Sequence, residues 1–276
     1  DFILARSALR AWGEAGPVVV AGYRERGALA VAGGLATEAV DLDAIDFGSA
    51  FSSPSARLRG FLAGFARAVV WMGDDGTLAR SLRGAGVADV VCFPGLPPAN
   101  WRASAAAYYL DCLGFGEGEP VPVLGLGGVE RHGTVVLHPG SGGKGKNWDL
   151  DGFLAVGEAL AARGHDVRWS LGPAEDGFAL PPWAKRLEAV GLVALGRYLA
   201  GAGLFVGNDS GISHLAAAVG CGVVGIFGVT DPLVWGPVGA RVRIVGGDGW
   251  PEVGAVLGAA ETLLGEENGG HTGRLE

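Results

Sequence analysis

The chain is short of sulfur, of charge and of long apolar runs. Its three cysteines, Cys92, Cys112 and Cys221, are scattered and in no metal-ligand spacing. That argues against a zinc cluster or a disulfide framework and suits thiols buried as small hydrophobes in a reducing compartment. Charged residues make up 18% of the chain, the net charge is −8, and no long basic run exists. A nucleic-acid partner is disfavoured, because a phosphate backbone needs clustered Lys and Arg. No apolar run approaches the roughly 18 residues that span a bilayer. No signal peptide is visible. These absences read as a cytoplasmic protein, with peripheral contact at the inner membrane surface left open. A Gly-x-Ser-x-Gly nucleophile elbow is missing, and so is a P-loop.

What the chain does have is core and turns. Hydrophobic residues form 49% of its 276 residues, enough for two domains of ordinary size. The 51 Gly and 14 Pro are spread among apolar periodic segments, which implies many tight turns rather than low complexity.

Helical and strand patterns alternate. In the first half, helices are predicted at 2–12, 22–31, 54–65, 76–83 and 101–113. Strands are predicted at 17–21, 38–42, 68–72 and 89–93. Gly114–Gly133, rich in Gly, Pro and Glu, reads as a linker. The second half restarts with strands at 134–138, 166–171, 192–195, 204–206 and 223–227, and helices at 150–163, 182–189, 212–219 and 251–264. Such alternation implies βα units on parallel sheets. The division expected is an N-terminal α/β domain at 1–128, a C-terminal α/β domain at 129–264 and a polar tail at 265–276.

Chemistry concentrates in the turns after the second-half strands, where open α/β sheets bind ligands. In LFVGNDSGISHL, Leu204–Leu215, an apolar strand meets a Gly/Asp/Ser turn and then a helix. The first helical turn offers free N–H groups and the positive end of the dipole to an anion. Ser210 and His214 lie i, i+4 on one face and can add donors. Asp209 reads either as a ligand contact or as an N-cap, and His214 either as a donor or as a core histidine. The glycines of HPGSGGKGKNW, His138–Trp148, let backbone approach an anion, with Ser141, Lys144 and Lys146 as donors. A solvated loop is an equal reading. Asp149 is the expected N-cap of the next helix. In LGPAED, Leu171–Asp176, an acid can accept ribose hydroxyls, although a helix-start acid facing the dipole is the commoner role. Gly228–Asp231 closes a further strand, as a plain Asp-Pro turn or as another wall of the same site. Two Asp-x-Asp triplets, Asp41–Asp43 and Asp149–Asp151, are not read as metal sites, since neither sits in a phosphate loop.

HPGSGGKGKNW, LGPAED, LFVGNDSGISHLAAA and GIFGVTDP, in this order, resemble glycosyltransferase family 9, the lipopolysaccharide heptosyltransferases and their relatives. Asp1-Phe2-Ile3-Leu4 and Ala8-Leu9-Arg10 look like the segment after that family's first strand. The resemblance implies an α/β GT-B fold, two Rossmann-like domains facing a central cleft. It implies inverting transfer of a sugar from a nucleotide diphosphate donor, typically ADP-heptose, with no metal and no further cofactor. The acceptor would be a lipopolysaccharide or other envelope glycan or glycolipid. By position, Lys146 matches a lysine at the donor phosphate, Ser141 a hydroxyl of the same loop, and Glu175 the acid on the donor ribose. Asp209, Ser210, Gly211 and His214 match the donor-binding turn and helix, and Asp1 the general base. The family's first strand and Gly turn would precede Asp1, and His138–Trp148 is one residue longer than in the best-known members. A non-catalytic nucleotide-sugar-binding protein, or an epimerase or hydrolase of the same fold, stays open on these residues.

Overall fold

The computed structural model describes residues 2–116, 123–172, 178, 180–189 and 191–269. The chain forms two compact α/β units, Asp1–Glu119 and Pro120–Glu276. The division falls ahead of the 128/129 boundary read from the Gly/Pro-rich stretch, because two leucines of that stretch belong to the second core. Leu124 and Leu126 are buried. The Leu124 N–H donates to the Ala218 carbonyl, and the Leu126 carbonyl accepts from the Arg197 guanidinium.

Unit 1 runs α1 (Arg6–Gly13), β1 (Val19–Gly22), α2 (Arg24–Ala32), β2 (Glu38–Asp41), α3 (Ala56–Leu62), β3 (Arg67–Trp71), α4 (Thr77–Gly84), β4 (Asp89–Phe93) and α5 (Ala105–Cys112). Pairing is parallel, β1 with β2 and β3 with β4. Leu58 and Leu62 of α3 and Leu78 and Leu82 of α4 close a core with Ile45, Val87 and Val90. Asp41 Oδ1 accepts the Asp43 N–H at 3.0 Å, so this Asp-x-Asp triplet makes a turn.

Unit 2 runs β5 (Val135–His138), α6 (Leu150–Ala162), β6 (Val167–Trp169), β7 (Lys185–Arg186), α7 (Gly191–Gly201), β8 (Leu204–Asn208), α8 (Gly211–Ala218), β9 (Gly222–Phe227), α9 (Pro232–Trp235), β10 (Val242–Gly246) and α10 (Val253–Gly269). Its six strands stand in the order β10-β9-β8-β5-β6-β7, all parallel. The apolar runs of β5, β8 and β9 are buried along their whole length, as strands covered on both faces must be. Alternate residues serve one face. Val135, Leu137, Leu204, Val206, Val224 and Ile226 pack against Phe153, Val156 and Leu160 of α6 and Val256, Ala260 and Leu263 of α10. The helical spacing of those apolar residues is what docks both helices on this face. Asp149 caps α6, its Oδ1 accepting the Asp151 N–H at 3.2 Å. At the far end Gly164, with φ +89°, turns the chain out of the helix, a left-handed conformation that favours glycine. Cys221 is buried, and burial pushes its thiol up to about 12, so it packs as a small hydrophobe.

Several elements depart from the sequence reading, among them the four-residue helix α9, which was not anticipated. The helix expected at 182–189 is not there: the two-residue strand β7 pairs with β6, and the Leu187 N–H donates to the Trp169 carbonyl. Trp183 and Leu187 are spaced as on a helix, but the open edge of β6 takes the backbone. The strand expected at 192–195 is part of α7. A four-residue apolar run carries no period of its own, and Leu192, Leu195 and Leu199 are spaced as one helical face. Edge strand β10 was not anticipated, since Arg243 interrupts its short Val-x-Ile-Val run.

Candidate functional site

The order of strands in unit 2 locates the site before any side chain is considered. From β5 the sheet grows one way through β6 and β7 and the other way through β8, β9 and β10. Chain direction across the sheet therefore reverses between β5 and β8. Ligands of doubly wound sheets bind outside the carboxyl ends of the strands at such a reversal. Two of the turns singled out above leave from these strand ends: 139–147 after His138, and 209–210 after Asn208.

Asn208 ties the two turns together. It is fully buried. Its Oδ1 accepts the Trp148 N–H at 3.0 Å, and its Nδ2 donates to the Pro139 carbonyl at 2.7 Å. Trp148, itself buried, anchors the end of the loop, its Nε1 donating to the Pro251 carbonyl at 3.1 Å. Inside the loop, Ser141 Oγ lies 2.6 Å from Asn147 Oδ1 and 2.8 Å from the Gly143 carbonyl, and it accepts the Gly143 N–H at 3.3 Å. This hydroxyl folds the loop on itself. Lys144, Gly145 and Lys146 form one 3₁₀ turn, with Lys144 exposed and Lys146 half-buried.

Lys146 faces Asp209. Its Nζ is 3.1 Å from Asp209 Oδ2, with side-chain exposures of 34% and 8%. Thr230 Oγ1, from the turn after β9, donates to the same oxygen at 2.9 Å. The carboxylate therefore holds the ammonium in place, while the exposed side of Lys146 keeps further N–H donors toward solvent.

Ser210, not Asp209, caps α8. Its Oγ accepts the Ser213 N–H at 3.3 Å. Ser213 Oγ in turn donates a short hydrogen bond to the Asn208 carbonyl, which ties the cap to the strand end. Gly211 is exposed, with open space where a Cβ would stand. The N–H groups of Gly211 and Ile212 have no acceptor among the described residues. They are the orphan donors of a helix N-terminus, where the dipole favours an anion. His214 lies on the buried face of α8, 3% exposed, beside Leu215 and Ala216. Gly207 is required by close approach: a Cβ there would stand 2.7 Å from the Phe205 ring and 3.2 Å from the His138 carbonyl. Removing the cap by Ser210→Ala lowers stability by about 1 kcal/mol, read as a drop in the midpoint of thermal unfolding.

The structure thus gathers Ser141, Lys146, Asp209, Ser210 and Gly211 at the ends of β5 and β8. Lys144 is on the same turn but on its exposed side. Asp1 and Glu175 lie outside the described residues. Asn208, Thr230 and Asn147 were not singled out from sequence, though all three sit in segments that were. Among the described residues no group of three His, Cys, Asp or Glu could hold a metal ion. No helix among them is long and apolar enough to cross a membrane.

Comparison with known proteins gives the same picture. Lipopolysaccharide heptosyltransferase 3 of Escherichia coli is 32% identical over 151 residues, 51% of this chain and 39% of that protein; the chain thus spans about two fifths of the relative it matches. The fold is that of the E. coli ADP-heptose lps heptosyltransferase II, with a TM-score of 0.77 at 16% identity over 96% of each chain. It is also that of the E. coli heptosyltransferase WaaC solved with ADP, with a TM-score of 0.63 at 18% identity over 97% of this chain and 95% of the other. The two Rossmann-like units expected from sequence are therefore those of a GT-B protein. The profile of glycosyltransferase family 9 (heptosyltransferase) matches residues 117–256, a span that holds the Lys146–Asp209 pair and the α8 N-terminus. By that match over half its length, the chain belongs to glycosyltransferase family 9.

Proposed function

We propose that the protein is an inverting, metal-independent glycosyltransferase that moves a heptose-like sugar from an ADP-activated donor onto an envelope glycan. The observation that carries this is the meeting of the open α8 N-terminus with the Lys146–Asp209 pair at the β5/β8 reversal. A leaving diphosphate develops charge as the glycosidic bond breaks, and preorganised donors at that point lower the barrier. Lys146 Nζ and the Gly211 and Ile212 N–H groups are those donors. The helix dipole adds to them.

The remaining roles are assigned by family position. Glu175 accepts the ribose hydroxyls of the donor. Asp1 takes the proton from the acceptor hydroxyl as that oxygen attacks the anomeric carbon. Attack on the face opposite the diphosphate inverts the anomeric configuration. Residues 129–264 hold the donor and 1–128 serve the acceptor. Names among the relatives support the reading: one is a lipopolysaccharide heptosyltransferase, and one was solved with ADP. A lipid-linked acceptor would bring the protein to the inner face of the membrane.

Calorimetry with ADP, UDP and GDP tests the donor half of this account. ADP binds, and Glu175→Ala weakens it; binding of none of the three sinks the proposal. Transfer in chelator, with the product anomer read by NMR, tests the chemistry. Sugar released from donor at the same rate without acceptor favours a hydrolase instead.

A further inference from the structure

The turn after β10, residues 247–252, was not singled out from sequence, yet it opens at the same end of the sheet as the turns of the donor site. It is held there from two sides. The Gly247 N–H donates to the Phe227 carbonyl at the end of β9, at 2.8 Å. The Pro251 carbonyl accepts from Trp148 Nε1, at the end of the loop that carries Lys146. Gly247 and Gly249 have φ of +112° and +129°, left-handed backbone that favours glycine. The turn is thus a specified structure and not a slack connection.

What it presents is Trp250. A Cβ at Gly228 would run into Cδ2, Cε2 and Cε3 of the indole at nearly equal distances. Three atoms of one ring at equal distance mean a face and not an edge, so the indole lies flat on the backbone at Gly228, the first residue past β9. Trp250 is nevertheless 41% exposed, whereas its neighbour Trp148 is 7% exposed. Burial of an indole is strongly favourable. Here glycines at 228, 247 and 249 hold one with a single face covered.

Strand order places this indole relative to the donor. Gly228 is two residues from Thr230, whose Oγ1 donates to Asp209 Oδ2 at 2.9 Å. The Asp209 N–H in turn donates to the Ile226 carbonyl of β9. The sheet runs β6, β5, β8, β9, with neighbouring strands about 4.8 Å apart. A nucleotide-diphosphate sugar is a linear molecule of base and ribose, diphosphate, then sugar. With the diphosphate at the ends of β5 and β8, and the ribose toward the turn that follows β6, the sugar comes to the end of β9. One strand spacing is comparable with the step from a phosphate to the ring it carries.

We propose that the exposed face of Trp250 is the platform on which the sugar ring of the donor stacks, with Gly228 as its support. The proposal rests on the reading of the β5 and β8 ends as a nucleotide-diphosphate site. A sugar ring carries its hydroxyls at the rim and C–H groups on its faces, and the electron-rich face of an aromatic ring suits those C–H groups. The indole face carries no charge for the phosphates. It therefore contributes to binding of the sugar and not of ADP.

Calorimetry with ADP and with ADP-heptose, on the wild type and on Trp250→Ala, tests this. The substitution lowers affinity for ADP-heptose roughly 5- to 20-fold and changes affinity for ADP less than about twofold. Trp250→Phe, which keeps an aromatic face, retains most of the ADP-heptose affinity. Should Trp250→Ala fail to fold, NMR on the wild type decides: NOEs from the Trp250 ring protons to C–H protons of the bound sugar are expected. Equal losses for ADP and ADP-heptose, no loss for either, or NOEs to the adenine instead would overturn the proposal and leave the diphosphate site standing. A wild type that binds neither ligand would remove the donor site and this platform together.

Discussion

Replacing Lys146 with alanine weakens ADP binding by roughly 10- to 150-fold, the loss of one charge-assisted hydrogen bond of about 1.5–3 kcal/mol. The ammonium is 3.1 Å from Asp209 and still 34% exposed in its side chain, so it is held at the site without being hidden from a ligand. The same substitution strands the Asp209 carboxylate, 8% exposed, with Thr230 as its remaining side-chain partner. Stability therefore falls along with affinity. Adding Asp209→Asn to Lys146→Ala separates the two effects. The double variant removes the uncompensated charge and recovers most of the melting temperature, yet its ADP affinity stays low. Recovery of both together would mean that Lys146 acts on the fold alone. Lys144→Ala gives the contrast, because that side chain is exposed on the same turn and salt screens it from a bound diphosphate.

Asn208→Ala is the most destabilising change expected at the site, at roughly 2–5 kcal/mol. The amide is fully buried and serves two backbone groups, the Trp148 N–H and the Pro139 carbonyl. Alanine leaves both without their partner inside the protein, and each such group costs about 1–3 kcal/mol. The melting temperature falls by about 5–15 °C. ADP affinity falls as well, because the loop that carries Lys146 is no longer tied to β8. Asn208→Asp sharpens the test through pH. A carboxylate keeps the acceptor for Trp148 but turns a second acceptor toward the Pro139 carbonyl, whereas a carboxylic acid can donate there. Burial favours the neutral form, so this variant is most stable at acid pH and loses stability as pH rises. A flat pH profile relative to the wild type would contradict the assigned bonds.

Which parts were legible from sequence follows from the range of the interactions. The caps at Asp149 and Ser210 span two and three residues, and a local pattern carries that information. The Gly/Asp/Ser turn ahead of α8 was legible for the same reason, although the sequence reading offered Asp209 as an N-cap and took Ser210, the observed cap, as an anion donor. Lys146–Asp209 and Trp148–Asn208 join residues 63 and 60 apart. Their pairing depends on β5 lying next to β8, a fact of strand order that no local pattern contains. Thr230 reaches Asp209 only because β9 lies beside β8. The errors at 182–189 and 192–195 have a related cause. Short apolar runs do not declare a period, and the tertiary setting, a free edge at β6 in one case and a continuing helical face in the other, decided each.

The central claim is that the ends of β5 and β8 hold a nucleotide diphosphate. A crystal structure of this chain with ADP tests it most directly. The account predicts the diphosphate against the Gly211 and Ile212 N–H groups, with a phosphate oxygen within hydrogen-bond distance of Lys146 Nζ. ADP bound with its phosphates away from α8, or a Lys146 that makes no contact with them, would contradict it.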